Sequence, residues 1–94
     1  MGMYYTYILR CANGTYYVGS TENLQARLKA LNDGRGAAYT FKYRPVHLVY
    51  FEEYRSKIEV LPRERQLKHW SHHKKQALVL GNRERLKHLS KRRA

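Results

Sequence analysis

The sequence predicts an α+β fold in which helices pack against a small three-stranded antiparallel sheet. Two aromatic and β-branched segments near the amino terminus flank an Asn-Gly pair, which is the pattern of a β-hairpin. A third segment of similar composition lies in the middle of the chain, and leucines at helical spacing follow the hairpin. The 94 residues suffice for one domain. We expect this domain to span residues 1–90 and a basic tail to occupy residues 91–94.

The hairpin strands are predicted at Tyr4–Cys11 and Thr15–Ser20. A two-residue loop between them would place Tyr7 and Tyr17 on opposite faces of the sheet, because strand side chains alternate. A three-residue loop with Gly14 in a left-handed bulge position would place both tyrosines on one face. We predict the three-residue loop, because a site shared by the two tyrosines requires it.

The first helix is predicted at Asn23–Leu31, with Thr21 or Asn23 as its amino-terminal cap. Leucines recur along it at positions i, i+4 and i+7, which indicates one buried stripe. Arg27 lies at the border of this stripe. Its aliphatic stem can therefore pack while its guanidinium reaches the edge of the sheet.

Residues 36–45 are predicted to form a loop that is rich in aromatic and basic side chains. Tyr39, Lys42 and Arg44 in this loop are suited to contact with phosphates and unstacked bases. Tyr39 can equally well cover the edge of the core, and the sequence favours neither interpretation.

The third strand is predicted at Val46–Tyr54, which is rich in valine and aromatic residues. Ser56 then opens a helix, with Glu59 at the spacing of a capping box. We expect this helix to end near Trp70. Pro62 lies beyond its first turn and removes a backbone donor, so the helix is predicted either to kink there or to begin late.

Two shorter helices complete the prediction. One is expected at Ser71–Leu80, closed by Gly81, and the other begins with Asn82 as its cap and runs through Leu89.

The net charge of +12 is the strongest compositional signal, and it is concentrated after Arg63. Basic side chains displace counterions from phosphates, so a nucleic acid is the expected partner, whereas a merely soluble basic surface is the alternative. No segment is long and apolar enough to predict a membrane span or a secretory signal. The single cysteine, Cys11, excludes an intramolecular disulfide. We therefore expect a cytoplasmic protein with no membrane partner.

Glu64 is an unexpected carboxylate, because it lies between Val60 and Leu67 on the apolar arc of its helix. A charge at such a position is costly unless it is paired or binds a cation. One interpretation is an ion pair with Lys68 at i+4. The other is a ligand for a hard cation such as Mg²⁺, which takes few protein carboxylates.

Several segments together resemble one nuclease family. The pattern YTY and YVG nine residues apart, followed by TENLQAR, is similar to the opening of the GIY-YIG nucleases. The similarity continues through RGAAYTFKYRPVHLVY, RERQLKHW and ALVLGN, and it covers nearly the whole chain. The small stand-alone bacterial members, which contain little beyond the catalytic domain, are the most similar.

This resemblance implies four catalytic residues, namely Tyr7, Tyr17, Arg27 and Glu64. Glu64 would be the family's metal ligand, with Mg²⁺ as the expected ion. Arg27 would bind a phosphate oxygen, and Tyr17 would position the attacking water and accept its proton. Tyr7 would orient that group or the phosphate.

Six further residues are expected to contact the substrate: Gly19, Tyr39, Lys42, Arg44, Lys68 and Asn82. Gly19 would let the backbone approach the substrate or would form a turn at the strand end. Asn82 would support the site or would only cap its helix. Two positions depart from the family pattern, since Leu31 replaces a common histidine and Pro62 replaces a small helix former.

The histidines offer a competing zinc hypothesis. His69, His72 and His73 have the spacing of a helical metal site, but no fourth ligand is evident and Ser71 is expected to break the helix. We interpret these histidines as part of the solvated basic surface.

The sequence therefore predicts a metal-dependent endonuclease that cleaves DNA. Because no recognition domain is evident, we expect either low sequence specificity or specificity for DNA structure such as flaps or branches, as in repair or recombination. RNA is not distinguished from DNA. The competing class is a non-catalytic nucleic-acid-binding module on the same fold.

Overall fold

The computed structural model describes residues 2–81 of the chain. In chain order its elements are β1 (Tyr4–Arg10), β2 (Tyr16–Thr21), α1 (Leu24–Asn32), α2 (Ala38–Lys42), β3 (His47–Tyr54), α3 (Lys57–Lys68) and α4 (His72–Val79). The predicted α+β class with one three-stranded antiparallel sheet is confirmed. The predicted final helix and the basic tail lie outside the described residues.

The sheet has the strand order β2-β1-β3, so β1 is its central strand. Within residues 2–81, β2 pairs only with β1. The outer side of β2 is therefore a free strand edge, at which side chains from both faces of the sheet can meet.

The hairpin loop has the predicted odd length. The Cys11 N–H donates to the Thr15 carbonyl at 2.8 Å, and the Gly14 N–H donates to the Cys11 carbonyl at 2.9 Å. Gly14 has φ +86°, the left-handed conformation that a bulge of this kind needs. The resulting register pairs Leu9 with Tyr17, so Tyr7 and Tyr17 share one face of the sheet, as predicted.

Helices cover both faces of the sheet. On the face that carries Tyr7, the core is formed by Leu9 and Cys11 from the hairpin, by Leu31 from α1 and by Val46. On the opposite face, Ile8 and Val18 pack against Leu67 of α3, and residues of α4 extend this second cluster. The sheet therefore holds α1 and α3 on opposite sides.

Helix α1 begins after Asn23, whose side-chain oxygen accepts from the Ala26 N–H at 3.0 Å. The prediction that residues 36–45 form an open loop was wrong, because residues 38–42 form the short helix α2. Ala37 precedes this helix and supplies no capping side chain, so the sequence carries no start signal for it. The buried Thr40 donates its hydroxyl to the Ala37 carbonyl and closes the turn locally.

Helix α3 begins after Ser56, as the capping residues predict. It runs through Pro62 without interruption to Lys68, so the late start was wrong. Pro62 lacks only the N–H that would reach the Ile58 carbonyl, and both residues are exposed, where water can take its place.

Helix α4 also follows its predicted limits. The Ser71 hydroxyl accepts from the Lys74 N–H at 3.1 Å, and the chain leaves the helix through Gly81 with φ +71°. None of the helices in the described part of the chain is long and apolar enough to cross a membrane.

Candidate active site at the edge of strand β2

The buried Tyr7 side chain crosses the edge strand at Gly19. Tyr7 on β1 pairs with Gly19 on β2, and only 2% of its surface is exposed. A Cβ atom added to Gly19 would lie 2.4 Å from the Tyr7 hydroxyl oxygen, which is too close for any contact. Gly19 therefore provides the space through which the Tyr7 ring reaches the outer edge of β2.

Arg27 of α1 meets the Tyr7 hydroxyl at this edge. Its Nε donates to the Tyr7 oxygen at 3.3 Å. This hydrogen bond is the main reason that the pKa of Arg27 is raised, and hydrogen bonding to Tyr17 contributes as well. Two phenols and one guanidinium therefore lie within interaction distance of one another.

The backbone beside Arg27 leaves little space. Gly36 has φ +109°, and a Cβ atom there would lie 3.0 Å from Nη1 of Arg27. A glycine is needed both for this backbone conformation and for the close approach of the guanidinium.

The pKa of Tyr7 shows that Glu64 lies close to the group formed by Tyr7, Tyr17 and Arg27. Burial raises the pKa of Tyr7, while the hydrogen bond from Arg27 opposes the increase. The negative charge of Glu64 adds a smaller increase to the pKa of Tyr7, so this carboxylate lies within electrostatic reach. Tyr7 is therefore a neutral phenol near pH 7.

Glu64 approaches the same edge from the opposite face of the sheet. Its Oε1 accepts a hydrogen bond from the Ser20 hydroxyl at 2.6 Å, and its Oε2 forms an ion pair with Lys68 at 3.0 Å. Only 17% of the Glu64 side chain is exposed. Since Ser20 directly follows Gly19, the carboxylate lies across the strand edge from the Tyr7 hydroxyl. The ion pair with Lys68 that the sequence offered as one interpretation is present.

These contacts also test whether a hard cation fits. In the described part of the chain no three His, Cys, Asp or Glu side chains form a metal cluster. Glu64 would therefore be the single charged ligand, with Ser20 as a neighbouring hydroxyl oxygen. Each carboxylate oxygen has a second lone pair, and Mg²⁺ completes its coordination with water and substrate phosphate. The donor chemistry fits such an ion.

Residues 3–77 match the family model described as the GIY-YIG catalytic domain. The protein belongs to the GIY-YIG family. This is a family of nucleases, so nucleic acid is its class of substrate.

Small bacterial proteins are similar to this GIY-YIG protein over most of their length. The UPF0213 protein of Staphylococcus aureus strain Mu3 is 42% identical over 79 residues, which cover 84% of this chain and 96% of that one. The solution NMR structure of the UPF0213 protein BH0048 from Bacillus halodurans is 38% identical, with a TM-score of 0.55 and 85% of each chain covered. The NMR structure of the protein EF2693 from E. faecalis is 28% identical, with a TM-score of 0.59 and 86% of each chain covered. The predicted resemblance to small bacterial GIY-YIG proteins is confirmed.

The other predicted substrate contacts of this GIY-YIG protein divide into two groups. Tyr39 lies near the candidate site, with its ring stacked against Tyr17 at a centroid distance of 6.5 Å. Lys42 and Arg44 instead line a separate groove with Asn32, Phe41 and Pro45. The structure does not bring these two basic residues to the cluster formed by Tyr7, Tyr17, Arg27 and Glu64. Arg44 stacks on Phe41 and donates to its carbonyl, and the Lys42 ammonium lies over the Tyr43 ring. Asn82 lies outside the described residues.

The two departures from the GIY-YIG pattern have plain structural consequences. Leu31 is 1% exposed and belongs to the core beneath the site. Pro62 is accommodated within a continuous α3, which carries Glu64.

Three residues near the site were not predicted from the sequence: Ser20, Gly36 and Lys75. Ser20 follows the glycine of the YVG pattern, but nothing in the sequence connects it with a glutamate 44 positions later. Among residues 2–81 no three His, Cys, Asp or Glu side chains form a metal cluster. Ser71 caps α4 between His69 and His72, and the His72 ring stacks on Tyr16.

Proposed function

We propose that this GIY-YIG protein is a metal-dependent endonuclease that hydrolyses phosphodiester bonds in DNA and is directed by DNA structure, as in repair. The observation that supports the proposal is the meeting of Arg27, Tyr7 and Tyr17 with Glu64 at one strand edge. Phosphodiester hydrolysis requires binding of the phosphate charge, orientation of water and stabilisation of the leaving oxygen. These four side chains are suited to those tasks.

Arg27 binds the scissile phosphate in this proposal. Its Nε is held by the Tyr7 hydroxyl, which sets the plane of the guanidinium. The terminal nitrogens can then donate in parallel to two phosphate oxygens, the geometry in which arginine binds phosphate most strongly.

The two tyrosines have different roles. Tyr7 is buried and its hydroxyl accepts from Arg27, so it holds the guanidinium and does not act as a base. Tyr17 is closer to solvent and next to Arg27. We assign to Tyr17 the orientation of the attacking water and the acceptance of its proton.

Glu64 holds the metal ion in this proposal. Ser20 fixes one carboxylate oxygen, and Lys68 holds the other in the free protein. A bound Mg²⁺ would neutralise charge on the phosphoryl oxygens and assist departure of the leaving oxygen.

A non-catalytic nucleic-acid-binding module is the competing function. One specific observation favours it, since both oxygens of Glu64 already have partners within the protein. Glu64 could then serve only to join α3 to β2.

The replacement Glu64→Gln tests the proposal. Glutamine keeps the shape of the side chain and an acceptor for Ser20 but loses the charge that holds the cation. We expect cleavage of flap or branched DNA in Mg²⁺ to fall by about a hundredfold or more. Gel assays of cleavage, with EDTA as a blank and with RNA strands of matched sequence, measure the effect and the preference for DNA.

Glu53→Gln is the matched control, because Glu53 is exposed on β3 and its replacement changes the net charge equally. Full cleavage by Glu64→Gln would contradict the proposed mechanism. Binding without any metal-dependent cleavage by the unmodified protein would establish the module instead.

A further inference from the structure

An open groove of about 350 Å³ follows the outer edge of β2 next to the candidate active site. Its lining residues are Tyr16, Tyr17, Val18, Tyr39, Lys68 and Lys75. We call it the edge groove. Tyr17 and Lys68 belong both to this groove and to the candidate site, so the two are continuous. A strand that entered the active site would have the edge groove beside it.

The basic groups of the edge groove are Lys68 and Lys75, and none of its lining residues among positions 2–81 is acidic. Lys68 is paired with Glu64, so Lys75 is the lysine available to a ligand. The ammonium of Lys75 makes no hydrogen bond or ion pair with any residue between 2 and 81. Partial burial lowers the pKa of Lys75, so an anion in the groove would relieve the desolvation of its ammonium. This arrangement fits a phosphate group.

The aromatic side of the edge groove is held in place before any ligand binds. The Tyr39 hydroxyl is hydrogen-bonded to the Thr15 hydroxyl at 2.6 Å, and its ring packs against Tyr43 at a centroid distance of 4.8 Å. The rings of Tyr39 and Tyr17 are inclined by only 12°. Tyr39 nevertheless remains 40% exposed. An ordered and exposed ring of this kind is a stacking surface for a flat base.

We propose that the edge groove binds one unpaired nucleotide next to the scissile phosphate, with its base stacked on Tyr39 and its phosphate bound by Lys75. This inference rests on the proposed nuclease function, because it places the nucleotide beside the four-residue site. The nucleotide must be unpaired, since a base within a duplex has both faces covered by its neighbours. Strands with an overhang or a flap are therefore the preferred ligands.

The test measures binding in EDTA, where no cleavage interferes. Fluorescence anisotropy compares a labelled oligothymidylate with a blunt duplex of matched length, for the full chain and its variants. We expect Tyr39→Ala and Lys75→Gln each to weaken binding of the single strand by about tenfold. Binding of the blunt duplex should change by less than about twofold.

The controls separate the groove from the general surface. Phe51→Ala removes a ring of similar exposure on β3, and Lys57→Gln removes an exposed lysine at the start of α3. Neither should change the preference for the single strand. Tyr39→Phe keeps the stacking ring without its hydroxyl and should retain most of the affinity, while circular dichroism establishes that each variant is folded.

The outcomes distinguish this inference from the proposed function. Loss of single-strand preference in the groove variants supports the inference even if the protein cleaves nothing. Equal effects of Tyr39→Ala on single strand and duplex, or no effect on either, would overturn it. Glu64→Gln should lower cleavage by about a hundredfold or more and leave the preference for the single strand intact.

Discussion

Gly19 is the residue on which the arrangement of the candidate site depends most directly. Its missing side chain is the space that the Tyr7 ring occupies, and the Tyr7 hydroxyl in turn holds Arg27. The interpretation of Gly19 as a turn at the strand end was wrong, because β2 continues to Thr21. Gly19 lies within a paired strand, and the position of the Tyr7 phenol depends on the absence of a side chain there.

We predict that Gly19→Ala disrupts the site. The added methyl group would lie 2.4 Å from the Tyr7 oxygen, and neither the strand backbone nor the buried ring can yield without a shift. Displacing Tyr7 removes its contact with Arg27, so cleavage should fall by about tenfold or more. Overpacking should also lower the free energy of unfolding by about 1–3 kcal/mol. Cleavage assays and urea unfolding measure the two effects.

Gly2→Ala provides the control for this substitution. A Cβ atom at Gly2 meets no atom within 4 Å, and its backbone is not left-handed. We expect normal stability and cleavage. If Gly19→Ala behaved like Gly2→Ala, Tyr7 would not need its present position.

At the scale of elements, a polar network joins β3 to α3. Glu52 accepts hydrogen bonds from Nε and Nη2 of Arg63, each at 2.9 Å, and from the hydroxyls of Tyr50 and Tyr54. Arg63 also stacks on Trp70, with 5.2 Å between its guanidinium carbon and the ring centroid. Because Arg63 immediately precedes Glu64, this network fixes the part of α3 that presents the carboxylate.

The network predicts how stability depends on pH. Burial opposes ionisation of Glu52, but hydrogen bonds from Arg63 and the tyrosines outweigh it and lower the pKa of Glu52. The stabilisation is therefore complete above the ordinary pKa of 4.5 and is lost as the pH falls through the lower folded value. Burial and Glu52 raise the pKa of Tyr50 and Tyr54 from 10.0 to about 12. Stability should therefore also decline as the pH rises from 10 towards about 12.

Urea unfolding at a series of pH values measures both losses of stability, the acidic limb due to Glu52 and the alkaline limb due to Tyr50 and Tyr54. Glu52→Gln should lower the free energy of unfolding at pH 7 by about 2 kcal/mol, because it leaves Arg63 without its carboxylate. The same substitution should flatten both limbs, whereas Glu53→Gln, on the same strand, should change neither. Unaltered limbs in Glu52→Gln would show that the network does not control the pH dependence.

At the scale of the whole molecule, the net charge of +12 predicts the salt dependence of binding. Arg27, Lys68 and Lys75 all lie at the candidate site or in the edge groove. Three neutralised phosphates on a single strand correspond to a slope of about −2 in a plot of log affinity against log salt. Anisotropy titrations between about 50 and 200 mM salt should give a slope at least this steep.

Removal of one lysine should reduce this slope measurably. For Lys75→Gln we expect a decrease of about 0.7 in magnitude, because one fewer phosphate is neutralised. An affinity that does not depend on salt would exclude phosphate contacts as the basis of binding.

Much of the hairpin and the helix limits could be predicted from sequence, because those features depend on neighbouring residues. Tyr7 and Tyr17 share one face of the sheet because the turn at Gly14 contains an odd number of residues. Asn23 and Ser56 identify the starts of their helices through bonds to the backbone three residues later. Helix α2 has no such cap, and it was missed for that reason.

The amino-acid sequence by itself determined which chemical groups the chain carries and that its two tyrosines share one face of the sheet. Only the tertiary structure decided that Glu64 approaches from the other face of the sheet, where it accepts a hydrogen bond from Ser20, 44 positions earlier. It also decided that Lys75 and Tyr17 line the same groove. The physical reason is the distance along the chain over which the interactions act. Turns and caps depend on bonds between neighbouring residues, whereas the meeting of two faces at the edge of β2 depends on how whole helices pack against the sheet.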